Sequence, residues 1–438
     1  MAPRKAAATT KRPAKAQKRK TKAAAETTTA VAKRPAKTPR AAATKEKKRL
    51  TAREVALKVN TEYKSTVIRL AGETTSSYLL RRPTGIISLD IALNGGFPAS
   101  APVVLCGPDG AGKDYILWRT WAEAQRIYGE NFAAAVYLTE FKADKLFMKD
   151  ICGLQIALTD EELAELDAAR TNIGLPALTE EERAHYKHQV GEIMIIQGEI
   201  ADVAFDILAK CLESNAFQFI AVNSIGFLQT EAKEDVDSFA DFAQQSNEAA
   251  LLNKVLPKYA MLLNRIDNEG ESNETTIVFV NQMRARRDQV RKRPGIPTQE
   301  KDKYEPGSKA WALKHGKAIE LTLHKGKAHF EESSKERLGR EVPWEITKGK
   351  LGTHEGIRGT FDFFYDLGAD VTGDLINTAL NLEVLVQGGS WISYDHPEIG
   401  FKAQGRMEAK KIVYESRELQ DALRRDCLTA AKVVYRHQ

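Results

Sequence analysis

The sequence predicts an α/β protein with a mostly parallel central sheet, followed by a small α+β domain at the C-terminal end. Two observations carry that reading. Short β-branched and apolar runs of buried-strand type recur at 103–106, 133–138, 217–222, 276–280 and 318–323, separated by stretches whose apolar residues follow helical spacing. The first run opens onto a glycine-rich loop, Gly107-Pro108-Asp109-Gly110-Ala111-Gly112-Lys113, and a helical stretch begins at Tyr115.

The pattern G-x-x-x-x-G-K between a strand and a helix has a direct physical use. Glycines let the backbone approach a phosphate closely, backbone N–H groups wrap it, Lys113 neutralises charge, and the helix N-terminus favours an anion. Residues Gly107 to Tyr115 are therefore the phosphate-binding candidates. One position departs from the pattern. The residue after the lysine is Asp114, where a Ser or Thr hydroxyl would hold Mg²⁺.

The chain of 438 residues is long enough for a large core and a smaller domain. Its net charge of +6 is unevenly spread: residues 1–49 hold 17 Lys or Arg against Glu26 and Glu46, so this segment carries +15 and the remainder −9. Residues 1–48 are almost wholly Ala, Lys, Arg, Pro and Thr, with Lys-Arg-Pro-Ala-Lys at 11–15 and again at 33–37. Such a stretch has too little apolar surface to offset its ordering entropy, which predicts a disordered basic tail. Its charge suits phosphate backbones through counterion release, with a solubilising or targeting extension as the alternative. No apolar run reaches bilayer length and no signal-peptide core follows Met1, so the expectation is a cytoplasmic, DNA-associated protein without a membrane partner. The cysteines at 106, 152, 211 and 427 lack metal or redox spacing and read as reduced thiols.

Residues 46–63 show a modest helix pattern and 65–70 read as a strand, making 49–80 a candidate subunit-contact segment. Then comes Thr84-Gly85-Ile86-Ile87-Ser88-Leu89-Asp90-Ile91-Ala92-Leu93, leading to Gly95-Gly96 and the phosphate loop. This run resembles the RecA family of recombinases, and the likeness extends over about 47–430. The resemblance implies a RecA-like P-loop ATPase core at 81–360 and a C-terminal domain at 361–438. It implies ATP and Mg²⁺ as cofactors and a helical homo-oligomeric filament on single-stranded DNA, which pairs with homologous double-stranded DNA in recombination and repair. Single-strand-binding or loading proteins would be partners, and a bacterial or phage-infected cell the setting.

The same resemblance assigns roles residue by residue. The run 133–138 ends in Thr139-Glu140, and a carboxylate at this strand end can activate water; Glu140 matches the family's catalytic glutamate. Asp144 and Phe147 match its adenine-contacting aspartate and stacking aromatic, the alternatives being a cap and a core side chain. The run 217–222 leads into Asn223, where P-loop ATPases carry the aspartate that orders Mg²⁺. A carboxylate at 114 and an amide at 223 leave the formal charge near the metal unchanged, so the expectation is an exchanged site in which both supply oxygen. The competing reading is a filament protein that binds ATP, coats DNA and hydrolyses weakly or not at all. Gln282, at the end of the run 276–280, matches the γ-phosphate sensor. The basic segment after it, with Arg284, Arg286, Arg287, Arg291, Lys292 and Arg293, sits where the family has its second DNA loop. The first such loop, near 231–247, is acidic instead.

Lys348 and Lys350 match the lysine pair that reaches a neighbouring subunit's ATP, and as positions i and i+2 of one strand they are expected on one face. Residues 155–189, with Asp160-Glu161-Glu162 and Glu180-Glu181-Glu182, exceed the family pattern and read as an inserted acidic helical pair. The Lys-x-Lys pair and the C-terminal domain argue against a ring-forming helicase or circadian-type ATPase on the same core.

Overall fold

The computed structural model describes residues 50–64, 68, 70, 80–140, 142–230, 244–265, 272–285, 304–306, 310–331 and 333–434. The basic tail 1–48, most of the acidic loop after 230 and most of the basic loop after 285 lie outside these residues.

Six strands run parallel, in the spatial order Ile319–Leu323, Pro102–Gly107, Thr276–Ala285, Phe219–Asn223, Ala133–Leu138 and Glu192–Gln197. Beyond Ile319–Leu323 the sheet turns antiparallel through Arg337–Lys348, Arg358–Phe364 and Gly368–Ala369. The unbroken apolar strand sequences reflect burial on both faces. Val103 and Leu105 enter the core packed under the helix Lys113–Tyr128, with Trp118 and Trp121, whereas Val104 and Cys106 enter the opposite one. That second core is closed by the helices Ala201–Ser214 and Gln244–Leu263, through Phe205, Leu208, Leu252 and Tyr259. Because the six strands are parallel, their C-terminal ends share one edge, where ligands bind in sheets of this kind.

Several boundaries differ from the sequence expectation. The strand Glu192–Gln197 was not singled out, although Ile193 to Ile196 form a short apolar, mostly β-branched run; it lies at the sheet edge with its side chains half-buried or exposed. The run 276–280 continues to Ala285, since Met283 to Ala285 pair with Tyr304–Pro306, so Gln282 lies within a strand rather than at its end. Arg358–Phe364 and Gly368–Ala369 hydrogen-bond into the central sheet, which moves the start of the C-terminal layer from 361 to just after Ala369. The first helix is Ala52–Glu62. Of residues 65–70 only Ile68 and Leu70 are described, neither in a strand, and Asn60 holds Ile68 through both its backbone N–H and its carbonyl.

The acidic segment holds two helices, Asp160–Asn172 and Glu180–Lys187. Each opens with a capping box, Thr159 with Glu162 and Thr179 with Glu182, and they close on a small cluster of Leu158, Leu163 and Leu178. Buried Lys149 pins the segment's two ends by donating to the carbonyls of Ile156 and His188. The C-terminal layer comprises the helix Val371–Asn381, a three-stranded antiparallel sheet (Val386–Gly388, Trp391–Tyr394, Phe401–Gln404) and the helices Gly405–Glu415 and Arg417–Ala430. Its core includes Ile87 from the short helix Ile87–Ala92, which therefore sits between the two layers. All four cysteines are buried and unpaired. Among the described residues no helix is long and apolar enough to cross a membrane.

Candidate active site

The glycine-rich loop begins at the end of the central strand Pro102–Gly107. A β-carbon on Gly107 would sit 2.7 Å from the Leu323 carbonyl oxygen, so the close approach of the two strands requires glycine. Gly112 caps the helix Lys113–Tyr128 with φ +93°, a left-handed conformation that L side chains rarely adopt. Lys113 is buried and donates to the Pro108 carbonyl at 2.9 Å, spanning its own loop. Burial pushes its pKa down, countered by Asp114, Asp109 and Glu140, among others. Ala111 is buried beneath the loop and Asp109 is exposed above it. The side chain of Tyr115 is not at the loop: it is buried edge-on against Phe363, with ring centroids 5.0 Å apart, so only its backbone can serve a phosphate.

Register brings the neighbouring strand ends to this loop. Gly107 lies beside Gln282, and Asn223 beside both Leu138 and Val280. Glu140, two residues past its strand, accepts a hydrogen bond from the Gln282 amide at 2.7 Å and another from the hydroxyl of buried Ser224. Ser224 is held in turn by Thr139, whose hydroxyl accepts from the Ser224 N–H at 2.9 Å and donates to its carbonyl at 2.7 Å. The sequence reading missed Ser224; its only signal was its place directly after the strand-end Asn223.

Asn223 donates its amide nitrogen to an Asp114 oxygen at 2.9 Å. A carboxylate can only accept, which fixes the amide orientation and leaves the Asn223 oxygen and the second Asp114 oxygen to serve a cation. Mg²⁺ is bound through one or two protein oxygens while phosphates and water complete its shell, and this donor set fits that chemistry. Among the described residues no group of three or more His, Cys, Asp or Glu is gathered to hold a metal by itself.

Beside this pair lies a cavity of about 360 Å³, lined by Asp114, Trp118, Glu140, Asp144, Phe147 and Asn223 among others. Asp144 accepts from the Phe147 N–H at 3.0 Å and so acts as a cap, while half-buried Phe147 packs on the main core. Trp118 and Lys325 were missed as site residues. Trp118 reads as a core position on its helix, and the Lys325 ammonium lies 3.9 Å from where a β-carbon on Gly110 would be, a contact made only by the fold.

The lysine pair departs from expectation. The strand ends at Lys348, and Lys350 follows in an exposed turn, so the two do not share a strand face. Lys348 donates to the carbonyls of Lys314 and His315, at 2.8 and 3.3 Å, at the C-terminal end of the helix Trp311–Gly316, where a cation is favoured. Burial and then the neighbouring Lys350 lower its pKa. Arg284 belongs to the strand Thr276–Ala285, whereas Arg286, Arg287, Arg291, Lys292 and Arg293 lie outside the described residues.

A parallel α/β sheet with a G-x-x-x-x-G-K loop at its edge, and polar strand ends facing it, is the arrangement of the P-loop nucleotide-binding class. No protein-family model matches the chain. It is, however, similar to RecA of Thermus thermophilus, at 26% identity over 84% of this chain and 90% of that protein. It is likewise similar to RecA of Caldanaerobacter subterraneus, at 24% identity over 83% and 87%. A solved RadB recombinase aligns at 15% identity over 66% of this chain and 98% of its own, with a TM-score of 0.36. The sequence similarity is to RecA-like recombinases at large and singles out no particular bacterial RecA.

Proposed function

We propose that this chain is an ATP-dependent DNA recombinase that forms helical filaments on single-stranded DNA and pairs it with homologous duplex. The observation that most supports this is the hydrogen bond between Glu140 and Gln282 beside the phosphate loop, which joins a candidate general base to a candidate phosphate sensor. Lys113 would neutralise phosphate charge, and the backbone from Gly107 to Asp114 would cradle the phosphates. Asp114 and Asn223 would hold Mg²⁺, which when bound offsets the charge on the phosphate oxygens. Glu140 would take a proton from attacking water. Gln282 would leave Glu140 for the γ-phosphate and so pass nucleotide state along its strand toward Arg284 and the basic loop. Lys348 and Lys350 would act on a neighbouring subunit's nucleotide, which requires Lys348 to exchange its helix-end carbonyls for that ligand. A heterologous interface that does not close gives the filament.

A second reading has its own support. The Asp114–Asn223 pair replaces the hydroxyl and carboxylate that normally order the metal, which favours an ATP-bound, weakly hydrolysing filament protein that coats DNA. ATP hydrolysis with and without single-stranded DNA at matched salt separates the two. The recombinase reading expects stimulation by DNA, and Glu140→Gln should lower the rate by about 10²- to 10⁴-fold with ATP binding retained. Filaments that form on DNA with ATP bound but without hydrolysis would establish the coating protein instead.

A further inference from the structure

We infer that Asp114 makes nucleotide uptake depend on a divalent cation, so that the chain binds ATP only as its metal complex. This rests on the ATP site proposed above. A hydroxyl after the P-loop lysine is neutral and can donate to a phosphate oxygen. A carboxylate there carries negative charge and has no proton to give.

Two features hold that carboxylate in place, and a third adds to the negative charge around it. Asp114 lies in the first turn of the helix Lys113–Tyr128, the position at which an anion is otherwise welcomed. The Asn223 amide grips one of its oxygens at 2.9 Å, so the carboxylate is held toward the strand ends. The adjoining cavity is lined by two further carboxylates, Glu140 and Asp144, against the single ammonium of Lys142. The loop itself adds Asp109 beside Lys113, with exposed Lys325 over Gly110. Free ATP entering this site brings phosphate charge against fixed carboxylates. A cation between Asp114 and the phosphates turns that repulsion into attraction on both sides.

The test is ATP binding by calorimetry on the full chain, in Mg²⁺ and in EDTA. Asp114→Asn keeps the side-chain size and an oxygen to accept from Asn223 while removing the charge. For the wild type, removal of Mg²⁺ should weaken binding by about 100-fold or more. In Asp114→Asn, binding in EDTA should tighten by about tenfold over wild type and binding in Mg²⁺ should weaken, a crossing of sign that general damage to the loop cannot produce. If the amide variant melts early, Asp114→Ser supplies the EDTA arm alone, where binding should again tighten over wild type, since a hydroxyl at this position can itself hold Mg²⁺. Wild-type binding that is equal in EDTA and Mg²⁺, or variants that weaken both alike, would overturn the inference. Failure of the wild type to bind ATP even in Mg²⁺ would overturn the nucleotide site itself.

Discussion

Gly107 shows how a single atom constrains the loop. An added β-carbon would meet the Leu323 carbonyl at 2.7 Å and the Ala111 β-carbon at 3.4 Å, both rigid neighbours, so strand and loop must part. Gly107→Ala should therefore cost about 1–3 kcal/mol of stability and weaken ATP binding, measured by urea denaturation and calorimetry. Unchanged values in both would mean that the strands separate without effort. The loop was legible in the sequence because its chemistry is contiguous: three glycines and a lysine at fixed spacing. Ser224 and Lys325 were not, since each meets its partner only when distant strands align, and no local pattern marks a serine that will face Glu140. The strand face assumed for Lys348 and Lys350 failed for a related reason. Periodicity predicts alternation within a strand but not the residue at which the strand ends.

At the scale of elements, the two acidic helices were legible from their runs of Asp and Glu, and their caps, which that reading did not use, are written just as locally. Thr179 accepts from the Glu182 N–H while Glu182 accepts from the Thr179 N–H, a reciprocal pair three residues apart. The segment's own core is only a few leucines, so its stability depends heavily on these caps and on the Lys149 anchor. Thr179→Ala should cost the second helix about 1 kcal/mol. Hydrogen exchange should then quicken at 180–187, with the melting of the whole chain unmoved. A fall in global melting temperature would instead make the segment part of the main cooperative unit. The edge strand Glu192–Gln197 marks the opposite limit of legibility. Its Ile193-Met194-Ile195-Ile196 run is apolar, but four such residues cannot be told from a buried helix segment by periodicity alone, and the strand has one neighbour and partly exposed faces.

The whole molecule is joined where the T-G-x-x-S-L-D run meets the last helix. Buried Asp90 accepts from the Thr84 N–H and hydroxyl at 2.6 and 2.7 Å, while Arg424 reaches Asp90 at 3.4 Å and the Gly85 carbonyl at 3.2 Å. Asp374 adds a bond from the Ser88 N–H. Burial pushes the Asp90 pKa up to about 6 despite Arg424 and Thr84. Unfolded, Asp90 titrates near 3.8, so between roughly 4 and 6 the folded chain holds a proton that the unfolded chain has released, and stability from this group falls as pH rises through that window. Glu123 has the opposite sign. Although burial opposes it, Arg424, Arg126 and Arg119 hold it down to about 2, so its contribution is present above 4.5 and is lost as pH falls toward 2. Arg424 serves both carboxylates. Arg424→Met should cost about 3 kcal/mol at pH 7.5, where ionised Asp90 is left buried without its partner. At pH 5 the cost should shrink, because Asp90 takes up a proton while Glu123 stays charged. Adding Asp90→Asn should recover part of the loss at pH 7.5 and little at pH 5. Urea denaturation of the two variants at both pH values checks this. An equal cost at pH 5 and 7.5 would mean that Arg424 stabilises the junction through Gly85 and Glu123 rather than through Asp90.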